Sequence, residues 1–275
     1  MPLEIASFNI NGIRARLPRL LEWLDDTRPD IACLQEIKIA DEAFPHAPFE
    51  ERGYNVAVNG QKGFNGVAIL SRLPLEDVGR GLPDGEADVE GLGDEGQSRF
   101  ISALVSTESG ALRICNLYAP NGNPAPGPKF DYKLRWMERL RHHAAATLAR
   151  EETALYCGDW NVIPQPEDAR HPDEWLGDAL FRPESRAAFR RILHLGYTDA
   201  LRARSDSADL YTFWDYKGGA WRRNDGIRID HFLLTPQCAD HLLDCRIEKE
   251  QRAKEKPSDH VPIRVVLDLA PPGGA

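Results

Sequence analysis

A chain of 275 residues with 42% hydrophobic content can bury one large core, and it has no 18-residue apolar run of the kind a membrane-spanning helix needs. The formal charge of −9 argues against a polyanionic partner only until its distribution is seen: residues 76–96 hold eight acids and one arginine, leaving −2 for the rest of the chain. Five cysteines, Cys33, Cys115, Cys157, Cys238 and Cys245, are odd in number and lack C-x-x-C spacing, which argues against a disulfide frame or a structural zinc and for reduced core thiols.

The chain opens on "LEIASFNI", a strand over 3–10 with no basic or apolar leader before it, so a cytoplasmic location is expected. A helical pattern over 19–26 stops ahead of Pro29, and strands follow at 30–37, 54–60 and 66–72. The acidic, Gly-rich stretch 76–96 reads as an exposed loop or an edge excursion. Strands at 99–107 and 111–120 flank "ESG" as a hairpin, and a helix is predicted over 131–150. The strand at 153–160 ends in "GDWN"; a helix over 183–196 starts at Pro183 and stops at Gly196. Strands at 229–235 and 261–269 close the pattern, and 269–275 reads as a flexible tail. No internal repeat or linker is visible. The expectation is an α+β layered sandwich forming one domain over 1–268.

The "GDWN" stretch poses the functional question. Gly, Asp and Asn are ordinary turn residues, yet the period of two in a strand also puts Asp159 and Asn161 on one face. The same ambiguity recurs at other strand ends, which supply Asn9, Glu36, Tyr118, Asp230, Asp259 and His260. Gathered at one rim, carboxylates and amides without cysteine form a hard-ligand set suited to Mg²⁺ or Mn²⁺. With a phenol and an imidazole beside them they have the parts of a phosphodiester hydrolase. No phosphate-cradling Gly-rich loop and no G-x-S-x-G elbow are present.

The segments "SFNINGIRAR", "LQEIK", "KGFNGVAILSR", "NLYAPNG", "GDWN", "YTFWDY", "NDGIRIDHFLLT" and "KPSDHVP", in this order over residues 1–268, resemble the exonuclease III family of abasic-site DNA endonucleases. The resemblance implies a four-layer α/β sandwich, two mixed sheets packed face to face with helices outside. It implies a Mg²⁺-dependent enzyme, with Mn²⁺ as a substitute, that incises duplex DNA 5′ to abasic sites and trims 3′ ends as a monomer. The rival reading is a phosphoesterase of the wider superfamily acting on lipid or inositol phosphates. Carried onto this chain, the resemblance assigns metal binding to Asn9, Glu36, Asp159, Asn161 and Asp259. Tyr118, Asp159, Asn161, Asp230 and His260 become catalytic, with the base left open among Asp159, Tyr118 as phenolate, and the Asp230–His260 pair. Phe213, Ile227 and Ile229 would form a slot for a sugar without a base. Trp214 would stand beside it or simply in the core, and Arg99, Lys62, Lys129, Lys133 and Arg228 would meet backbone phosphates.

Overall fold

The computed structural model describes residues 2–82, 97–107 and 110–269, with twelve strands among them. The first six strands are β1 (Leu3–Asn9), β2 (Ile31–Gln35), β3 (Asn55–Asn59), β4 (Val67–Ser71), β5 (Leu75–Arg80) and β6 (Phe100–Thr107). The other six are β7 (Gly110–Tyr118), β8 (Ala154–Asp159), β9 (Thr198–Asp199), β10 (Asp230–Leu234), β11 (Leu242–Ile247) and β12 (Ile263–Leu267). The helices are α1 (Ile13–Thr27), α2 (Ala47–Glu50), α3 (Pro128–Ala149), α4 (Pro183–Leu193), α5 (Ala200–Arg204), α6 (Ala220–Arg223) and α7 (Pro236–Ala239).

The strands form two six-stranded sheets, ordered β11-β12-β1-β2-β4-β3 and β5-β6-β7-β8-β10-β9. Each sheet has one parallel pair, β1 with β2 and β7 with β8, and each pair is bridged by a long helix, α1 or α3, as parallel neighbours require. The two orders superimpose position by position, β1 on β7 and β2 on β8. A repeat invisible in the residues is therefore present in the topology.

Alternation along the strands builds the four layers. Ile31 and Cys33 of β2 join Leu155 and Cys157 of β8 in the core between the sheets, while Ala32 and Leu34 pack outward with Leu20, Trp23 and Leu24 of α1. Tyr156 of β8 faces outward with Trp136, Met137 and Leu140 of α3 and Phe189 of α4. All five cysteines are free and buried, as expected of core thiols.

Two expectations change, and the start of the acidic stretch takes the edge form of its two readings. Helix α1 starts six residues earlier than predicted and accommodates Pro18, because Gly12, at φ 99°, turns the chain directly off β1. Strand β5 occupies the start of the acidic stretch as a sheet edge, and β11, a second edge, was hidden by its charged residues. Residues 83–96 of the acidic stretch, the hairpin tip at 108–109 and the tail from 270 onward lie outside the described residues.

Candidate active site

At one rim of the sandwich the positions facing between the sheets turn from apolar to polar. Continuing the inward faces of Leu3 and Ile5, of Ile31 and Cys33, of Leu112 and Ile114, of Leu155 and Cys157, and of Phe232 and Leu234 places Asn9, Gln35, Tyr118, Asp159 and Asp230 inward. These are the carboxyl ends of the two parallel pairs plus the start of β10, which pairs Asp230 directly with Asp159. Beneath them, Gln35 Nε2 donates to Asn116 Oδ1 at 2.7 Å, and Asn116 Nδ2 donates to the Leu34 and Ala68 carbonyls. This fully buried amide bridge ties one sheet to the other under the rim.

Turn and site are the same object. Asp159 Oδ1 accepts the Asn161 backbone N–H at 2.9 Å, and at the end of β1 in the other sheet Asn9 Oδ1 accepts the Asn11 N–H at 3.0 Å. Each strand thus ends in an Asx turn whose remaining polar atoms point into the rim. Asn9 Nδ2 donates to both Glu36 Oε1 and Asp159 Oδ2, at 2.9 Å each, joining two carboxylates from different sheets. Residue 158 must be glycine, because a Cβ there would lie 1.9 Å from the Leu117 carbonyl oxygen.

Glu36, Lys38, Asn11 and Asn161 all hold positive φ between 48° and 54°. For non-glycine residues this costs about 1–3 kcal/mol each and needs surrounding structure to enforce it. Around Glu36 the enforcement is visible: its carbonyl accepts the Gly12 N–H, Ile37 bonds Gly66, and Lys38 bonds Asn65.

His260 lies between two carboxylates, with Nδ1 2.9 Å from Asp230 Oδ2 and Nε2 3.6 Å from Asp159 Oδ2. Burial alone would lower its pKa; Asp230 and Asp159 outweigh that and raise it to about 10, so the ring is an imidazolium at neutral pH. Burial pushes Asp159 up to about 7, against the pull of His260 and with Asp230 and Glu36 adding to the rise. Burial, Glu36 and Asp159 hold the Tyr118 hydroxyl well above its ordinary value despite Arg99, so it is a phenol and not the phenolate considered from sequence. Arg99 stacks on this ring, its guanidinium carbon 5.0 Å from the centroid, and donates to the Tyr118 carbonyl.

Among the described residues, the ligand atoms of Glu36, Asp159 and His260 lie within 4.8 Å of one another. Since His260 is protonated, the oxygens of Glu36 and Asp159 are the donors a cation would meet. Asp259 falls outside that group; its Oδ1 accepts from Asn11 Nδ2 at 3.1 Å. Asn161 is held in the turn after Asp159: its Nδ2 donates to the Ala119 carbonyl and its Oδ1 accepts from Asn121.

Three of the residues assigned to substrate or phosphate contact are buried for other reasons. Arg228 is 1% exposed, its guanidinium bonded to Asp168 at 2.7 and 3.1 Å and to Asp199 at 2.8 Å, so it is a core ion pair and not a DNA contact. Lys133 is fully buried and donates to the Asn121 and Asn161 carbonyls, holding the turn after Asp159 from below. Trp214 packs edge-on against Trp221 with its Nε1 on Asn224, the core alternative and not the slot. Lys62 and Lys129 are exposed. Phe213 stands half-buried with its ring 5.0 Å from His260, whereas Ile227 and Ile229 are only 2% exposed beneath it. Lys38, 2.8 Å from Glu36 Oε2 and bonded to Asn11, and Ser258, donating to the Asn9 carbonyl, were missed. The only signal for Lys38 was its place in "LQEIK".

Removing one partner of the Arg228 cluster gives a stability prediction. Arg228→Met leaves Asp199 without its cation and buried Asp168 with Arg202 alone, and is expected to cost about 3 kcal/mol in denaturant unfolding at pH 7. Although burial raises the Asp168 pKa, Arg228 and Arg202 outweigh it and hold it below the ordinary value. Its contribution is therefore present above the unfolded carboxylate pKa, about 3.9, and is lost as pH falls through the lower folded value. The penalty of Arg228→Met should shrink on acidification; an equal penalty at pH 7 and pH 3 would refute this account.

The sequence model of the Endonuclease/Exonuclease/phosphatase family matches residues 6–260. The chain is 37% identical over 269 residues to exodeoxyribonuclease III of Haemophilus influenzae, covering 95% of this chain and 98% of that protein. It superposes on an AP endonuclease from Archaeoglobus fulgidus with a TM-score of 0.88 at 40% identity, over 97% of this chain and 99% of that one. A 3′ phosphatase from Neisseria, solved with a product DNA hairpin, superposes with a TM-score of 0.89 at 36% identity and the same coverage.

Proposed function

Because the chain belongs to the Endonuclease/Exonuclease/phosphatase family, we propose that it is a Mg²⁺-dependent DNA-repair phosphodiesterase that incises duplex DNA 5′ to abasic sites, leaves a 3′-hydroxyl, and trims 3′ ends. The observation that carries this reading is the largely buried chain Glu36–Asn9–Asp159–His260–Asp230, in which an imidazolium and three carboxylates converge on one rim. The relatives that act as exodeoxyribonuclease, AP endonuclease and 3′ phosphatase supply the substrate class.

The residues fit a hard divalent cation: Glu36 and Asp159 offer carboxylate oxygens, no thiol is near, and the one imidazole is protonated. Bound there, such a cation supplies charge neutralisation for the phosphate and stabilisation of the leaving alkoxide. The protein's own groups do the rest. Asp159 takes the proton of the attacking water at Oδ2, the oxygen facing Asn9 and His260. His260 offers its Nε2–H to a phosphate oxygen while Asp230 fixes the ring through Nδ1. Tyr118, kept as a phenol, donates to the same centre. Arg99 and the exposed Lys62 and Lys129 attract the DNA backbone, an attraction that weakens with salt.

The test is a labelled duplex carrying one tetrahydrofuran abasic analogue, incubated beside its undamaged counterpart. A single cut 5′ to the analogue is expected, abolished by EDTA and restored by Mg²⁺ or Mn²⁺, with slow 3′ shortening of the undamaged strand. No cutting of either duplex with Mg²⁺ or Mn²⁺ present would overturn the reading.

A further inference from the structure

The two isoleucines expected to line the sugar slot are almost wholly covered, so they form its floor and not the surface a substrate meets. They belong to a small cluster of Ile163, Ala169, Leu180 and Phe181, against which two half-buried aromatics pack: Phe213 and Trp175. Beside Trp175, Leu176 is 63% exposed, an isolated large apolar side chain turned to solvent on the same turn.

That turn is held at both ends by the active site's own neighbours. On one side the Arg170 N–H donates to the Gly226 carbonyl at 3.0 Å and His171 Nε2 lies 3.3 Å from Asp225, immediately before Ile227. Ala169 pairs with Ile227 itself. On the other side Asp178, whose N–H bonds the Trp175 carbonyl, accepts Asn123 Nδ2 at 3.0 and 3.1 Å. Asn123 bonds Asn121, and Asn121 bonds Asn161, two residues from Asp159. Segment 170–178 thus arches from the slot's floor to the turn behind the catalytic carboxylate, with Trp175 packed on the slot cluster between the two anchors.

Resting on the abasic-site reading, we propose that Trp175, with Leu176 beside it, is the outer wall of the sugar slot and a determinant of selectivity for a nucleotide without a base. Phe213 bounds the slot on the His260 side, and Trp175 packs on the same apolar floor. A rigid aromatic face adds contact area at low entropic cost to a deoxyribose turned out of the duplex, and it narrows the opening against a sugar that carries a base. Polar contacts to phosphate are common to damaged and undamaged DNA and supply no such discrimination.

The experiment measures affinity by fluorescence anisotropy in EDTA for two duplexes identical except for one tetrahydrofuran, and takes their ratio for wild type, Trp175→Ala, Trp175→Phe and Leu176→Ser. Trp175→Ala is expected to lower the ratio about tenfold, Trp175→Phe to keep most of it, and Leu176→Ser to lower it about threefold. The exposed Leu176 keeps the proposal testable if truncating Trp175 perturbs folding. An unchanged ratio in Trp175→Ala and Leu176→Ser, with wild type discriminating, overturns the wall alone. A wild type that binds both duplexes equally overturns the abasic-site reading and the wall with it.

Discussion

Asp159→Asn is expected to bind an abasic duplex within a few-fold of wild type while losing about 10³-fold or more in single-turnover incision. The substitution is isosteric, so the Asx turn to Asn161 can persist, but it removes the one carboxylate that is buried, faces His260 and sits at a pKa near 7. It also turns a donor toward two donors, Asn9 Nδ2 and His260 Nε2, where an acceptor had been. Binding is expected to survive because the residues proposed to meet backbone phosphates, Arg99, Lys62 and Lys129, are untouched. A rate within tenfold of wild type would remove Asp159 from the role of base and shift attention to the remaining rim groups.

The second large effect belongs to His260→Gln, expected to lower incision about 10²- to 10³-fold, the range for losing a preorganised donor to a developing oxyanion. Its signature is in the pH profile. Wild-type incision should rise with pH as Asp159, which burial pushes up and a bound cation pulls down, gives up its proton, and should fall at higher pH as the raised His260 imidazolium loses its own. Because the folded-state pKa of His260 is raised, its stabilising contribution is complete below the ordinary histidine value of about 6.5 and disappears as pH passes through the folded value. His260→Gln should therefore abolish the upper limb of the profile and leave Asp230 buried without its cation. A variant that keeps the alkaline limb unchanged would assign that limb to another group and overturn the imidazolium role.

These expectations rest on residues whose legibility in the sequence differed. The carboxylates of the rim were visible because polar residues interrupt apolar strands at the same end, and the period of two says which face each occupies. Asn161 was legible as a partner of Asp159, and the structure adds a tie the spacing does not show, its backbone N–H on Asp159 Oδ1. Arg228 and Lys133 were misread for one reason. Residue type reveals a charge but not its burial, and the partners that bury Arg228 lie 60 and 29 residues away in Asp168 and Asp199. Trp214 was left open because a tryptophan near a polar motif fits a pocket and a core equally well; its neighbour Trp221 settles it for the core. Trp175 carried no signal, since its meaning depends on a segment anchored at Gly226 and Asn123.

What the residues determined alone is local: which segments are strands, where their inward faces become polar, and that the donor set is oxygen-rich and thiol-free. Each follows from backbone geometry or ligand chemistry over a few neighbouring positions. Only the tertiary structure decided that two sheets of one topology meet face to face, bringing Asn9 against an Asp159 that is 150 residues away. It alone decided which cations are sealed into the core, which turn packs on the Ile227–Ile229 cluster, and which imidazole is flanked by carboxylates. Burial and the pKa shifts that follow depend on groups delivered from distant parts of the chain, and no local pattern encodes that delivery.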